Sequence, residues 1–415
     1  MTLHAPLIAT PQRATDPATS VAPAAAAVTA ERRRLLTLAA SAAWVGTPAA
    51  VFAAPGGRRG GAAVGPLPRL AKGLNLSHWF EYERGQGLDL PEMQQLLAAG
   101  LDHVRIPVDP AVGGWLPERM APPDFLAALR DAAGMAVRAG LEVVIDLHLE
   151  PSDKQRIEDS PELESGLVRL WTQMAGALVG LPADKLAFEL FNEPQYYGLQ
   201  RWRWPPLQRR LLAAVRALAP QHLVLLSGSG GGSFEALSGL ATRTPGPVAY
   251  VFHHYEPFLF THQGAAWLDE RYTTAGLRSG LHYPPGAAAD GELRLSRPHP
   301  RAAQELQDYY RSGWGQQRMH SEMQRAGQWA RQRGVRLLCN EFGCIRAQVD
   351  VASRYHWLGD VRRALEAQGI GWTVWDYTDI FGITRQSAQL GHLGRRQLDS
   401  EAFAALGLSS QRMVR

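Results

Sequence analysis

Cysteine is nearly absent: the 415 residues hold two, Cys339 and Cys344. That excludes a disulfide-stapled scaffold and a four-cysteine zinc site. The two could pair across a short loop; a reduced pair is the default expectation. Lysine is almost as scarce, with Lys72, Lys154 and Lys185 the only three among 43 basic residues. The net charge of +4 is too small for a chain of this length to argue for nucleic acid. No run after residue 54 is apolar enough to span a bilayer. No H-E-x-x-H metal motif is present. The run Gly228-Ser229-Gly230-Gly231-Gly232 misses both G-x-G-x-x-G and G-x-S-x-G spacing and reads as a plain loop. What remains is an ordinary globular composition, 46% hydrophobic and 20% charged.

Residues 1–54 read as an export signal. A charged segment, Glu31-Arg32-Arg33-Arg34-Leu35-Leu36, precedes a mildly apolar run that ends in Val51-Phe52-Ala53-Ala54. Arg32-Arg33-x-Leu35-Leu36 resembles a twin-arginine signal, although Glu31 stands where Ser or Thr is usual. The alternative is an uncleaved anchor, which Pro48 and the many small residues argue against. Cleavage is expected near Ala53 or Ala54, giving a periplasmic or extracellular protein. Residues 55–68 read as a flexible linker and 69–410 as one catalytic domain.

From residue 69 onward, strand-like runs alternate with amphipathic ones. The strand candidates are 70–76, 102–108, 141–148, 185–192, 222–227, 248–255, 335–341 and 370–376. Helices are expected from Pro91 and over 123–139, 162–179, 205–218, 315–333 and 351–368, several ending at Gly. Eight repeats of strand and helix predict a single (β/α)8 TIM barrel, with a doubly wound open sheet as the alternative. The connection 256–314, after strand six, carries few periodic signals. Its aromatics Trp267, Tyr272, Tyr283, Tyr309, Tyr310 and Trp314 suggest one wall of a cleft, against a plain insertion as the bland alternative.

Barrel active sites gather at the carboxyl ends of the strands. Those ends carry Arg105, Asp146-Leu147-His148, Asn192-Glu193-Pro194, His253-His254-Tyr255, Asn340-Glu341-Phe342-Gly343 and Trp375-Asp376-Tyr377. Glu193 and Glu341 stand out, because a pair of carboxylates across a cleft is what glycosidic cleavage requires. One must donate a proton and the other attack the anomeric carbon. A metal site built on His253 and His254 is disfavoured, since neighbouring strand residues face opposite ways. A non-catalytic carbohydrate-binding barrel would be expected to lack one carboxylate, and both are present.

The segments Val104-Arg105-Ile106-Pro107, Phe188 to Pro194 (FELFNEP), His253-x-Tyr255, Asn340-Glu341-Phe342-Gly343 and Trp375 together resemble glycoside hydrolase family 5, the large cellulase family. Phe258 to Ala265 (FLFTHQGA) looks like a stretch found in its bacterial members. The likeness covers about residues 70–405. It implies a retaining mechanism, with carboxyl groups about 5–5.5 Å apart. By position it implies Glu193 as acid/base and Glu341 as nucleophile. Asn192 would hold the sugar 2-hydroxyl, and Arg105 and Tyr255 would orient Glu341. His148 and His253 would line the cleavage subsite, with Trp375 as its apolar floor. Trp79 and Tyr196 are candidates for stacking on sugar rings. No cofactor or metal is implied. The expected partner is a β-glucan polysaccharide, the expected activity that of an endo-β-1,4-glucanase, and the expected state a monomer not inserted in a membrane. A β-glucanase or mannanase acting on a secreted bacterial polysaccharide is the alternative.

Overall fold

The computed structural model describes residues 65–81, 87–115, 120–240, 244–265, 280–286, 300–385 and 397–409. The export signal and residues 55–64 of the linker lie outside the described residues, as do Trp267 and Tyr272. Eight parallel strands close into a barrel. They are β1 (Lys72–Asn75), β2 (His103–Val108), β3 (Glu142–Leu147), β4 (Leu186–Glu189), β5 (Leu223–Ser227), β6 (Val248–His254), β7 (Leu337–Phe342) and β8 (Gly371–Val374). Closure is made by β1 on β8, with Lys72 opposite Trp372 and Leu74 opposite Val374. Each sequence-predicted strand has its counterpart here, with ends differing by a few residues. Runs such as Val143–Ile145 are apolar on both faces because helices cover the outside and side chains fill the inside. Helix boundaries follow local chemistry. Asp89 and Glu92 form a reciprocal capping box at the start of Leu90–Ala99, and Gly100 closes that helix at φ 107°.

The barrel interior is layered. Leu70, Val144, Ala187, Leu223, Leu225, Ala249, Val251 and Leu338 form their own buried aliphatic cluster. Side chains two residues apart on a strand share a face. Above Val144, Ala187, Val251 and Leu338 the same alternation therefore places Asp146, Glu189, His253 and Asn340. A polar layer thus rests directly on an aliphatic one, toward the carboxyl ends of the strands.

Strict alternation would turn Glu341 away from Asn340. It does not, because β7 carries an extra residue. Phe252 pairs with Cys339 while His253 pairs with Glu341, so the register slips by one at Asn340. The same slip appears against β8, where Cys339 opposes Trp372 and Phe342 opposes Val374. A bulge of this kind re-aims a side chain at a barrel rim. Cys339 and Phe342 remain in the outer core, while Asn340 and Glu341 both reach the interior network described below.

The connection after β6 contains helices that the sequence pattern missed, Phe258–Thr261 and Pro300–Arg311. Its described aromatics are packing groups, not an open cleft wall. Tyr283, Tyr309 and Trp314 are buried. The Tyr283 hydroxyl donates to Asp360 Oδ2 at 3.0 Å, tying the insertion to helix Val351–Glu366. Trp314 packs on His254, which faces the outer layer, opposite to His253. Cys339 and Cys344 are both free thiols in the core. After β8, Thr384–Arg385 and Gln397–Leu398 form a small antiparallel ribbon. Among the described residues no helix is long and apolar enough to cross a membrane.

Candidate active site

Arg105 on β2 is the hub. Its fully buried guanidinium donates from Nη1 to Glu341 Oε1 at 2.7 Å and to Asn75 Oδ1 at 2.8 Å. From Nε and Nη2 it grips both oxygens of Glu189, at 2.8 and 2.9 Å. Nη2 also reaches Asn192 Oδ1 at 2.9 Å and Asp146 Oδ2 at 2.8 Å. Asn340 Nδ2 donates to Glu189 at 2.7 Å. Burial opposes the charge on Arg105, but Asp146, Glu189 and Glu341 outweigh it and hold its pKa well above the ordinary value. A buried cation is tolerable when its counter-charges and hydrogen bonds are complete, as they are here.

Glu193 and Glu341 meet at one nitrogen. His253 Nδ1 lies 2.8 Å from Glu193 Oε1 and 3.2 Å from Glu341 Oε2. One imidazole nitrogen of His253 and one carboxylate oxygen from each of Glu193 and Glu341 all lie within 4.8 Å of one another. Tyr255 donates its hydroxyl to Glu341 Oε2 at 3.1 Å. Burial disfavours a charged His253, but Glu341 and Glu193 overcome it and raise its pKa. Burial, followed by the charge of Glu341, pushes the Tyr255 pKa far up, so that hydroxyl remains a donor. The two carboxyl groups differ in access. The Glu341 side chain is 5% exposed and that of Glu193 22%, so Glu193 is the more open of the two to solvent. Among the described residues these same three side chains are the grouping that could hold a metal ion. The donors aimed at Glu341 equally suit a carboxylate acting by itself.

A relay orients Asn192. Burial drives the His148 imidazole down to about 3, so it is neutral at any working pH. Its Nδ1–H donates to Asp146 Oδ2 at 2.8 Å, which leaves Nε2 to accept from Asn192 Nδ2 at 3.0 Å. The Asn192 oxygen is taken by Arg105 and one amide hydrogen by His148, so the second amide hydrogen is the group left to meet a ligand. Burial also raises Asp146, to about 7. Trp375, half-buried, stacks on His148 with ring centroids 5.5 Å apart.

Eight of the ten residues singled out in the sequence therefore join one network. Tyr196 does not. It is 1% exposed, its hydroxyl is 3.3 Å from Glu164 Oε1, and its ring stacks on Trp204 beside Arg203. The chain turns inward after Pro194, and Tyr196 fills the joint between the β4 loop and two helices, so it offers no face to a sugar. Trp79 stays half-buried on the loop after β1, packed on Phe80 and outside this network. Sequence reasoning passed over Asn75, Glu189 and Glu81 as site residues. Glu189 had a readable signal, being a charge inside an otherwise apolar strand. Glu81 is buried near His148, with Oε1 3.7 Å from Nε2, and burial lifts its carboxyl to about 8. The glycine run after β5 is no plain loop either. Gly230 and Gly231 donate to the Pro194 carbonyl at 2.8 and 3.0 Å.

The family model for cellulase (glycosyl hydrolase family 5) matches residues 71–380. Endoglucanase 3 of Fibrobacter succinogenes is 26% identical over 342 residues, covering 76% of this chain and 50% of that protein. The chain thus spans half the length of that relative. Endoglucanase C of Acetivibrio thermocellus is 25% identical over 319 residues, 74% of this chain and 90% of its own. Among solved structures, endoglucanase Cel5A of Thermotoga maritima superposes with a TM-score of 0.64 at 23% identity, covering 81% of this chain and 97% of that one. The cellulose synthase subunit Z of Clostridioides difficile gives 0.64 at 20% identity, covering 81% and 99%. Both likenesses report the same barrel. With the family match spanning the whole barrel, the chain belongs to glycosyl hydrolase family 5, the cellulase family, and is a glycoside hydrolase.

Proposed function

We propose that this enzyme is a retaining endo-β-1,4-glucanase in which Glu193 is the acid/base and Glu341 the nucleophile. The observation that carries the reading is the convergence of both carboxylates on His253 Nδ1, with their facing oxygens within 4.8 Å. Retention calls for about 5–5.5 Å between carboxyl groups, whereas inversion needs about 6.5–9.5 Å to admit a water. Glu341 is the buried one, supplied with donors from Arg105 and Tyr255 that favour a carboxylate. Glu193 has solvent access, which suits a group that gives up and regains a proton in each cycle.

In the first step Glu341 attacks the anomeric carbon while Glu193 passes its proton to the glycosidic oxygen. The C–O bond breaks and a glycosyl ester forms on Glu341. In the second step Glu193 takes a proton from water, the hydroxyl attacks the same carbon, and Glu341 leaves. Two displacements restore the starting configuration. Asn192 Nδ2 is held ready for the 2-hydroxyl, where a hydrogen bond strengthens in the transition state. Trp375 supports an apolar ring face.

The substrate assignment draws on the named activities of the relatives, which are endoglucanases. A panel of soluble β-1,4-glucan, mixed-linkage glucan, β-1,3-glucan and mannan tests it, with reducing-sugar release and viscosity read together. The fastest release, with an early viscosity drop, is expected on β-1,4-glucan; a maximum on mannan or β-1,3-glucan replaces that assignment. NMR of the first product must show the β-anomer, and an α-product overturns the mechanism. Export rests on residues 1–54 alone. Protein recovered outside the cytoplasm should begin just after Ala53 or Ala54.

A further inference from the structure

Gly230, Gly231 and Gly232 lie consecutively in the left-handed region, at φ 86°, 73° and 74°. Residues with a side chain rarely adopt that conformation even singly. The turn they make is bonded on both sides to the acid/base machinery. Gly230 and Gly231 N–H both donate to the carbonyl of Pro194, the residue after Glu193, while the Gly232 carbonyl accepts from His253 N–H at 2.8 Å. Glu193 is itself left-handed, at φ 44°. A non-glycine residue keeps such a backbone only where its surroundings over-determine it. Here the two N–H groups that hold the Pro194 carbonyl restrain the chain just beyond Glu193.

Space is tight at Gly232 and open at Gly230. A Cβ on Gly232 would stand 3.0 Å from His253 Nδ1, 3.1 Å from His253 Cγ and 3.4 Å from Glu193 Cγ. A Cβ on Gly230 would meet nothing nearer than Tyr197 Cε1 at 4.0 Å. Gly232 therefore touches the two groups whose 2.8 Å contact orients the Glu193 carboxyl.

We propose that the glycine turn Gly230–Gly232 is a positioning element for proton transfer: it clamps the carbonyl of Pro194, the residue that follows the left-handed Glu193, and the bare Cα of Gly232 sets the Glu193–His253 contact. This rests on the reading of Glu193 as the acid/base. The turn touches no reacting atom and borders Glu193 directly but Glu341 only through His253, so its effect is expected chiefly where protonation of the leaving group matters.

Aryl β-cellobiosides separate the cases. A dinitrophenyl leaving group departs without help, whereas a methoxyphenyl group needs a proton. Gly232→Ala and Gly230→Ala both place alanine at positive φ, but only the first crowds His253 and Glu193. For Gly232→Ala, kcat/KM on the methoxyphenyl substrate is expected to fall about tenfold or more, and on the dinitrophenyl substrate by less than about threefold. Gly230→Ala should change the ratio of the two rates little. Equal losses on both substrates, or the same ratio change in Gly230→Ala, overturn the proposal. Should Gly232→Ala be too unstable to assay, Gly230→Ala, which carries the same left-handed strain without the crowding, is expected to melt close to the parent; equal destabilisation in both overturns the proposal as well. Glu193→Gln is the reference. If Glu193→Gln shows no leaving-group dependence, the acid/base assignment fails, whatever the glycine variants do.

Discussion

Two layers of one barrel interior, a few ångströms apart, are built on opposite principles. The lower layer, around Val144, Leu225 and Val251, is aliphatic and needs only to fill space. The upper layer packs the Arg105 guanidinium against Asp146, Glu189 and Glu341 at hydrogen-bond distance. Apolar packing degrades gradually when an atom is lost. A buried ionic network fails abruptly, because a deleted partner strands a charge. The enzyme confines its chemistry to the layer where position is set by charge, while the layer beneath contributes packing alone.

The largest effects should come from the upper layer. Glu341→Ala is expected to lose about 10^4-fold or more in turnover while remaining folded, with Asp146 and Glu189 still paired to Arg105. Azide should restore part of the rate and give product of inverted configuration, measured by NMR. Rescue confined to a variant of another acid would move the nucleophile elsewhere. Glu193→Gln should lose about 10^2- to 10^4-fold on poor leaving groups. Arg105→Met should cost about 3–5 kcal/mol of stability as well as activity, because three buried carboxylates lose their common partner. Leu225→Ala, in the lower layer, should cost about 2–4 kcal/mol with kcat/KM little changed at temperatures where it is folded. If Leu225→Ala impairs catalysis as strongly as Arg105→Met, the two layers are not separable. Tyr196→Phe, which removes only the hydroxyl facing Glu164, should shift stability by about 1 kcal/mol and leave KM for glucan unchanged.

Burial also sets a pH dependence. The Glu81 carboxyl is raised from its ordinary range to about 8. A raised carboxyl means the folded state holds the proton more tightly than the unfolded one. Its contribution to stability is therefore complete below about pH 4.5 and lost as pH climbs through about 8. Glu81→Gln cannot ionise, so its stability should gain on the parent between pH 5 and pH 9, by an amount on the order of a few kcal/mol. Parallel melting curves for the two proteins at both pH values would place the ionisation of Glu81 outside that window.

Where sequence reasoning failed, the cause was long-range. Tyr196 looked like a sugar platform because it follows a catalytic strand, yet Glu164, Arg203 and Trp204 come from elements tens of residues away or from the next helix and enclose it. The aromatics after β6 looked like a cleft wall, but Asp360 and helix Val351–Glu366 were there to receive Tyr283. The glycine run looked featureless because no local pattern reveals that its amides point at Pro194.

Alternation of short apolar runs with amphipathic ones, eight times over, was enough to specify the barrel, since each element follows from its own periodicity and caps. The polar strand ends were likewise written locally, and with them the positions of Glu193, Glu341, Arg105 and Asn192 on one rim. Only the folded molecule decided that Asn340 and Glu341 both face inward. That depends on the extra residue in β7, which is defined by pairing to β6 and β8 and by nothing within β7 itself. Hydrogen-bond register between strands tens of residues apart is a property of contacts, and contacts exist only once the chain has closed on itself.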